Sequence, residues 1–152
     1  MKDPALGFVG EITEIHPEII LDVLDKGYIP VVSTVACDKE GNTYNVNADT
    51  AAAKIAGALG AECLISMTDI TGIMRDKNDT DSLISTLYVS DTQELVTEGV
   101  ISGGMIPKVE CCTEAIRRGV KKAVIIDGRV PHSILVEICS NEGVGTQFLS
   151  VY

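Results

Sequence analysis

Three stretches of the chain place polar and cationic residues where ligand chemistry could occur. The first is NVNADTAA, Asn45 to Ala52, where a strand-like run meets an Ala-rich helix. Asn47 or Asp49 can serve there as a helix N-cap. The alternative is that Asn45 offers an amide to a small ligand while Asp49 anchors nearby lysines. The second is SMTDITGIMRD, Ser66 to Asp76. Thr68 and Asp69 emerge where a strand ends, and Gly72 lets backbone approach a ligand closely. This pattern fits an ordinary polar loop as well as a nucleotide site. The third is GVISGGMIPKVECC, Gly99 to Cys112. Gly103 and Gly104 lead into a helix, and Pro107 fits only its first turn. The exposed N–H groups and positive dipole end of such a helix suit phosphate. Lys108 then lies one turn inside, within reach of a phosphate at the helix mouth; the ordinary reading is a solvated surface lysine. Phosphoryl transfer by positioning and charge stabilisation requires no protein nucleophile. The chain contains neither GxxxxGK[ST] nor GxGxxG. Its Ser, Cys and His residues form no nucleophile-and-base arrangement.

These segments need a scaffold, and the hydrophobic pattern supplies one. Strand-like runs occur at Phe8 to Val9 and Ile12 to Ile15, followed by a helix that starts at Pro17 and ends at Gly27. The β-branched run Val31 to Val35 reads as a buried strand. Asp38 to Asn42 is a turn, and Thr43 to Val46 is the returning strand of a hairpin. An Ala-rich helix from Ala48 to Leu59 stops at Gly60, and strand Cys63 to Met67 runs into a polar loop through Asp81. Helices at Asp91 to Thr97 and Met105 to Arg118 follow. Strand Ala123 to Ile126, helix His132 to Cys139 and strand Gln147 to Val151 complete the series. Alternating strands and helices imply an α/β layered fold with a mostly parallel sheet. The expectation is one domain over residues 1–152.

Composition narrows the partners. The chain has 152 residues, 45% of them apolar, and a net charge of −10. Nucleic acid as a partner is disfavoured, because phosphate backbones require a basic face. No apolar run approaches the roughly 20 residues of a bilayer span, so no membrane association is expected. MKDPALGF lacks the apolar core of a signal peptide. Cys37, Cys63, Cys111, Cys112 and Cys139 fit neither a disulfide framework nor a zinc spacing. Small buried hydrophobes in a reducing cytoplasm are the expectation for the cysteines, with no resident metal site.

The strings LGFVGEITEI, YNVNADTAAAKIAGALGAE, LISMTDITGIMRD, GVISGGMIPKVECC, VIIDGRVPHSILVEI and EGVGT together resemble the C-terminal half of acetylglutamate kinase. They cover nearly the whole chain in that family's order and spacing. The resemblance implies the amino acid kinase superfamily fold, a three-layer αβα sandwich with a largely parallel central sheet. It implies transfer of the γ-phosphoryl of ATP, carried as its Mg2+ complex, to the side-chain carboxylate of N-acetyl-L-glutamate in arginine biosynthesis. By position, Asn45 matches the acetylglutamate-binding amide, Asp49 the residue that organises the catalytic lysines, and Lys108 the lysine that stabilises the transferring phosphoryl. Thr68, Asp69, Gly72, Ile73 and Met74, with Val100, Ile101, Ser102 and Met105, match nucleotide contacts. Glu137 and Gly143 match part of the L-arginine effector site found in some members. The location implied is cytoplasmic, or plastid in a photosynthetic eukaryote.

The family's Lys-containing, Gly-rich phosphate loop and its substrate-binding Arg have no counterpart here. The resemblance is therefore to an ATP-binding half, expected to be inactive alone, since single electrostatic donors are worth about 3 kcal/mol in such transition states. A fragment of a shared sheet should also expose an edge and self-associate. The competing reading is a non-catalytic module that binds an effector or partner. Glutamate 5-kinase and aspartokinase, relatives within the superfamily, fit the Asn45 context poorly.

Overall fold

Lys122–Asp127 is the strand around which the rest is arranged. Its sequence, KAVIID, is apolar in an unbroken run rather than alternating, the pattern of a strand covered on both faces. In the computed structural model, which describes residues 7–140 and 143–150, Ala123, Val124, Ile125 and Ile126 are fully buried. In chain order the elements are α1 (Glu18–Asp25), β1 (Val35–Cys37), β2 (Thr43–Asn45), α2 (Ala48–Ala58) and β3 (Cys63–Thr68). Then come β4 (Thr86–Tyr88), α3 (Thr92–Thr97), α4 (Met105–Arg117), β5 (Lys122–Asp127), α5 (Ser133–Cys139) and β6 (Thr146–Leu149). Short 3-10 turns at Thr80–Ser82 and Val89–Asp91 flank β4.

The main sheet has the order β3-β5-β6-β4. The β3/β5 and β4/β6 pairs are parallel, whereas β5/β6 is antiparallel. The sheet is thus mixed and mostly parallel, with helices on its faces, as expected for this α/β class. Side chains alternate across a strand. Ala123 and Ile125 of β5 join the core formed with Ala53 and Ala56 of α2, Val109, Cys112, Ala115 and Ile116 of α4, and Phe148 of β6. Val124 and Ile126 face the other way, where α5 packs on β5. Alanines on the inner face of α2 let it lie close against α4. Each large side chain buried here contributes about 1.5–3 kcal/mol.

Gly145 marks the tightest approach in the sheet. A Cβ at that position would lie 2.0 Å from the carbonyl oxygen of Ile125, so no other residue fits against β5 there. The sequence expectation of a helix from Ala48 to Leu59 is met within one residue, as is that from Met105 to Arg118. The hairpin is also present: Asp38 accepts from the backbone N–H of Glu40 and Asn42 and from the Tyr44 hydroxyl, closing the turn between β1 and β2.

Three expectations are corrected. Val31 to Val35 is not a strand; pairing begins only at Val35, and Val31 is 95% exposed. Ile12 to Ile15 is likewise irregular, and the Phe8 to Val9 run contributes a single bridge from Val9 to Asn45. These runs have the composition of strands, yet few of their backbone groups are laddered among the described residues: Phe8 and Gly10 bond to Asn45 at the end of β2, and Thr34 accepts the Val46 N–H. Conversely, β4 has no sequence signal, because three residues in a polar context carry too little pattern. It is fixed by tertiary contacts: Leu87 is buried, and the Gln147 side-chain amide donates to Thr86 Oγ1 at 2.7 Å. The last predicted strand starts one residue earlier, at Thr146, and its end at Val151 lies outside the described residues. No helix among the described residues is long and apolar enough to cross a membrane.

Candidate functional site

Asn47 caps α2, its Oδ1 accepting the Thr50 N–H at 2.9 Å, which settles the choice between Asn47 and Asp49. Asp49 is consequently spared for another task. It sits in the first turn of α2, where its carboxylate favours the helix dipole, and it faces Lys108 in the first turn of α4. Lys108 Nζ lies 3.7 Å from Asp49 Oδ2, with both side chains between a quarter and a third exposed. That distance orients the ammonium without a hydrogen bond. A pair this exposed contributes at most about 1 kcal/mol to stability.

The two helices are held together close to this pair. Cys111, one turn beyond Lys108, donates its thiol to the Asp49 carbonyl at 3.0 Å. Burial, followed by the neighbouring Asp49 charge, pushes the Cys111 thiol up to about 11. Cys112 is raised further for the same first reason. Both are thiols at neutral pH and act as packing groups, whereas Cys37, Cys63 and Cys139 are exposed, against the expectation of buried cysteines.

At the carboxyl ends of β3 and β5 the chain forms two linked turns. Thr68 Oγ1 accepts the Ile70 N–H at 3.2 Å and donates to Asp69 Oδ1 at 3.3 Å. Gly128 donates its N–H to the Thr68 carbonyl at 2.8 Å, joining the Asp127–Arg129 turn to the end of β3. Asp127 grips Arg129 through both carboxylate oxygens, at 3.0 and 2.8 Å. The Arg129 guanidinium beside it, with the Arg129 backbone N–H, holds the Asp127 carboxyl below its ordinary range. Arg129 is raised chiefly by Asp127, with the Asp69 charge a smaller influence, so this cation belongs to the same polar end of the sheet. Neither Asp127 nor Arg129 is among the residues expected from the sequence to form the site. Their signal was the strand-end string DGR, which says little without the partner strand.

The remaining predicted residues divide by burial. Ile73 and Ile101 are each 1% exposed, and both side chains belong to the core. Any ligand contact at those positions is confined to the main chain. Gly72 is buried, and a Cβ on it would meet Thr146 Oγ1 at 2.7 Å and Leu83 Cδ1 at 2.8 Å. Met74 bridges to Leu83. Val100, Ser102 and Met105 are half-buried at the approach to α4, which has no acidic residue in its first turn and no side-chain cap. Lys77 spans from the long loop after β3 to Ser102, its Nζ donating to Ser102 Oγ at 2.9 Å. The two segments expected to contact nucleotide are thereby brought together. Asn45 ends β2 with an exposed side chain whose oxygen accepts from Thr34 Oγ1 at 3.5 Å.

Glu137 and Gly143 also meet. Glu137 Oε1 accepts from Lys122 Nζ at 2.9 Å and Oε2 from the Val144 N–H at 3.1 Å. Both carboxylate oxygens are thus engaged within the fold. A separate cleft of about 270 Å3, lined by Ile12, Lys54 and Arg118 among others, lies at the opposite, C-terminal end of α2. No cluster of three or more His, Cys, Asp or Glu suited to a metal occurs among the described residues.

Residues 2–127 match the model of the amino acid kinase family. The chain belongs to that family. It is 58% identical over 146 residues to the acetylglutamate kinase of Clostridium beijerinckii, a match covering 95% of this chain and 51% of the relative. It is 51% identical to the acetylglutamate kinase of a Synechococcus strain, over 97% of this chain and 50% of the relative. The likeness to acetylglutamate kinase read from the motifs therefore holds along nearly the whole chain. The chain spans about half the length of the curated relatives it matches. Among solved structures, N-acetylglutamate synthase from Neisseria gonorrhoeae, complexed with coenzyme A and L-arginine, superimposes with a TM-score of 0.86 at 26% identity. That match covers 95% of this chain and 33% of the synthase chain.

Proposed function

We propose that this chain is the nucleotide-binding half of an acetylglutamate kinase, which transfers the γ-phosphoryl of ATP to the side-chain carboxylate of N-acetyl-L-glutamate in arginine biosynthesis. The Asp49–Lys108 pair carries this reading. It joins the first turns of two packed helices, and at 3.7 Å it leaves the ammonium oriented but able to engage phosphate oxygens. Lys108 would stabilise charge on the transferring group, and Asp49 would hold Lys108 in place. Asn45 would bind acetylglutamate. Thr68, Asp69, Gly72 and Met74, with Val100, Ser102 and Met105, would form the nucleotide cleft, and Ile73 and Ile101 would shape it from the core. Mg2+ would enter with ATP as part of the substrate, held largely by its phosphates. This division of labour supplies alignment and electrostatic stabilisation, with no covalent enzyme intermediate.

The reading also makes the chain inactive alone, because the Lys-containing phosphate loop and the substrate-binding Arg expected of the family have no counterpart in its sequence. The exposed apolar residues Phe8, Ile19, Ile29, Val31 and Val32 support a surface that a complementary half covers in the working enzyme. Without that half they favour self-association, which would raise the sedimentation coefficient with concentration; a monomer throughout would oppose this. An arginine effector at Glu137 and Gly143 would have to compete with Lys122 for the carboxylate, so this chain should bind L-arginine poorly by itself.

Calorimetric titration of the folded chain with MgADP tests the nucleotide assignment. Saturable binding, weakened by Lys108→Ala and by Asp69→Ala, is expected. Absence of binding by a folded chain would sink the assignment and favour a non-catalytic partner-binding module, to which the same exposed apolar surface lends support.

A further inference from the structure

The polar turn after β3 is pinned by a hydroxyl from the far end of the chain. Ile73 donates its backbone N–H to Thr146 Oγ1 at 2.8 Å, across 73 residues of sequence, and Thr146 has no exposed surface. The Ile73 carbonyl in turn accepts the Ile84 N–H at 2.8 Å. Residues 69–72 are therefore suspended between two threonine hydroxyls: Thr68 at the strand end, which takes the Ile70 N–H, and Thr146, which takes that of Ile73. Gly72 packs so closely on Thr146 that a Cβ would come within 2.7 Å of its hydroxyl oxygen.

Thr146 is itself placed without freedom to move. It opens β6 opposite Ile125 of the buried strand β5. The preceding Gly145 abuts the Ile125 carbonyl, and Val144 is held by the Glu137 carboxylate. A hydroxyl buried on a rigid strand fixes its partner's position far better than a loop contact could. Its replacement by an apolar group leaves a buried N–H without a partner.

We propose that Thr146 is a positioning residue for the nucleotide cleft: its hydroxyl sets the height and direction of the Asp69–Met74 turn and thereby the affinity for nucleotide. The proposal rests on the nucleotide reading above. It assigns a function to a residue outside every segment expected to touch nucleotide, although that residue closes the EGVGT string.

The test uses the 152-residue chain, MgADP as probe, and three substitutions. Thr146→Val keeps the shape and removes the acceptor. Thr146→Ser keeps the acceptor. Val120→Ala, a buried change at the opposite end of β5, serves as a control for general destabilisation. Binding is measured where each protein is fully folded by circular dichroism, and amide exchange is followed at Ile73. Thr146→Val should weaken MgADP by about five-fold or more, the worth of one ordinary hydrogen bond. It should also speed exchange of the Ile73 amide. Thr146→Ser should stay near wild type in both, and Val120→Ala should lower thermal stability with no change in either. If Thr146→Val does not fold, Thr146→Ala, which also removes the strand-anchored acceptor, carries the same expectation. Wild-type affinity in Thr146→Val or Thr146→Ala overturns the proposal and leaves the nucleotide reading intact. So does a loss in Val120→Ala equal to theirs. No binding by the folded wild-type chain overturns both.

Discussion

Residues 29–35, IPVVSTV, and residues 122–127, KAVIID, are similar in their β-branched content, yet they have opposite fates. The second forms β5, with its four central residues wholly buried and neighbours on both sides. In the first, Ile29 is 90% exposed and regular pairing starts only at Val35. Propensity is the same in kind, so it does not decide the outcome. What differs is the supply of partners. β5 has β3 and β6 for its ladders, helices for both faces, and an ion pair at each end, Lys122–Glu137 at its start and Asp127–Arg129 at its finish. A strand is thus a property of a run together with its surroundings.

The sharpest way to break the comparison is to remove the same kind of apolar bulk from both runs. Ile125→Ala should destabilise the chain by about 2–5 kcal/mol, because it removes buried contacts and leaves a cavity. Val31→Ala should stay within about 0.5 kcal/mol, as for a substitution with little to lose. Urea denaturation of the two variants measures both. A large loss in Val31→Ala would mean that residues 29–35 are covered in solution. Repeating it at several protein concentrations would then show whether self-association supplies the cover.

The ion pair at the start of β5 comes next in size. Glu137 is buried, 5% exposed, whereas its partner Lys122 is a third exposed and can regain water. Removing one partner of a fully buried pair costs about 3–5 kcal/mol; the accessible lysine should reduce this to about 1–3 kcal/mol for Glu137→Ala. The same substitution frees the Val144 N–H and should loosen the segment leading to Thr146. A stability loss with no faster amide exchange at Val144 would show that the clasp acts on α5 alone.

The contrast also explains what could be read before the structure. Helices α2 and α4 were legible because their signals are local: an Asn cap and alanines for one, a diglycine, a first-turn proline and a following glycine for the other. Segments placing Asn45, Asp49, Thr68, Asp69 and Lys108 at strand and helix ends were legible for the same reason. The run Val31 to Val35 has the composition of a strand, yet its pairing depends on a partner not written in the run itself. Strand β4 leaves no local signal because Thr86 to Tyr88 is defined by β6, about 60 residues away. Thr146 closes the quoted EGVGT string, but its link to the turn after β3 is not legible there, because it lies in one hydrogen bond to Ile73. Likewise, Ile73 and Ile101 matched nucleotide contacts by position, while burial limits what their side chains can touch.

The smallest effect is expected at the finish of β5. Arg129 is two-thirds exposed, so its pairing with Asp127 is screened by water and salt. The direction is nevertheless defined. The folded Asp127 carboxyl is held below its ordinary range, first by the Arg129 side chain and then by the Arg129 backbone N–H. Such a group binds its proton less readily folded than unfolded. It therefore stabilises the fold above the unfolded value of about 3.9, and that contribution fades as pH falls through the folded value. Asp127→Asn should accordingly lower the urea midpoint slightly near neutral pH, and the gap from wild type should close in acid. A gap that persists at low pH would mean that the Asp127 side chain matters for the shape of the turn around Gly128, where its Oδ1 accepts the Arg129 N–H at 2.9 Å, more than for its charge. High salt separates the two further: it should shrink a charge effect and leave a hydrogen-bonded turn unchanged.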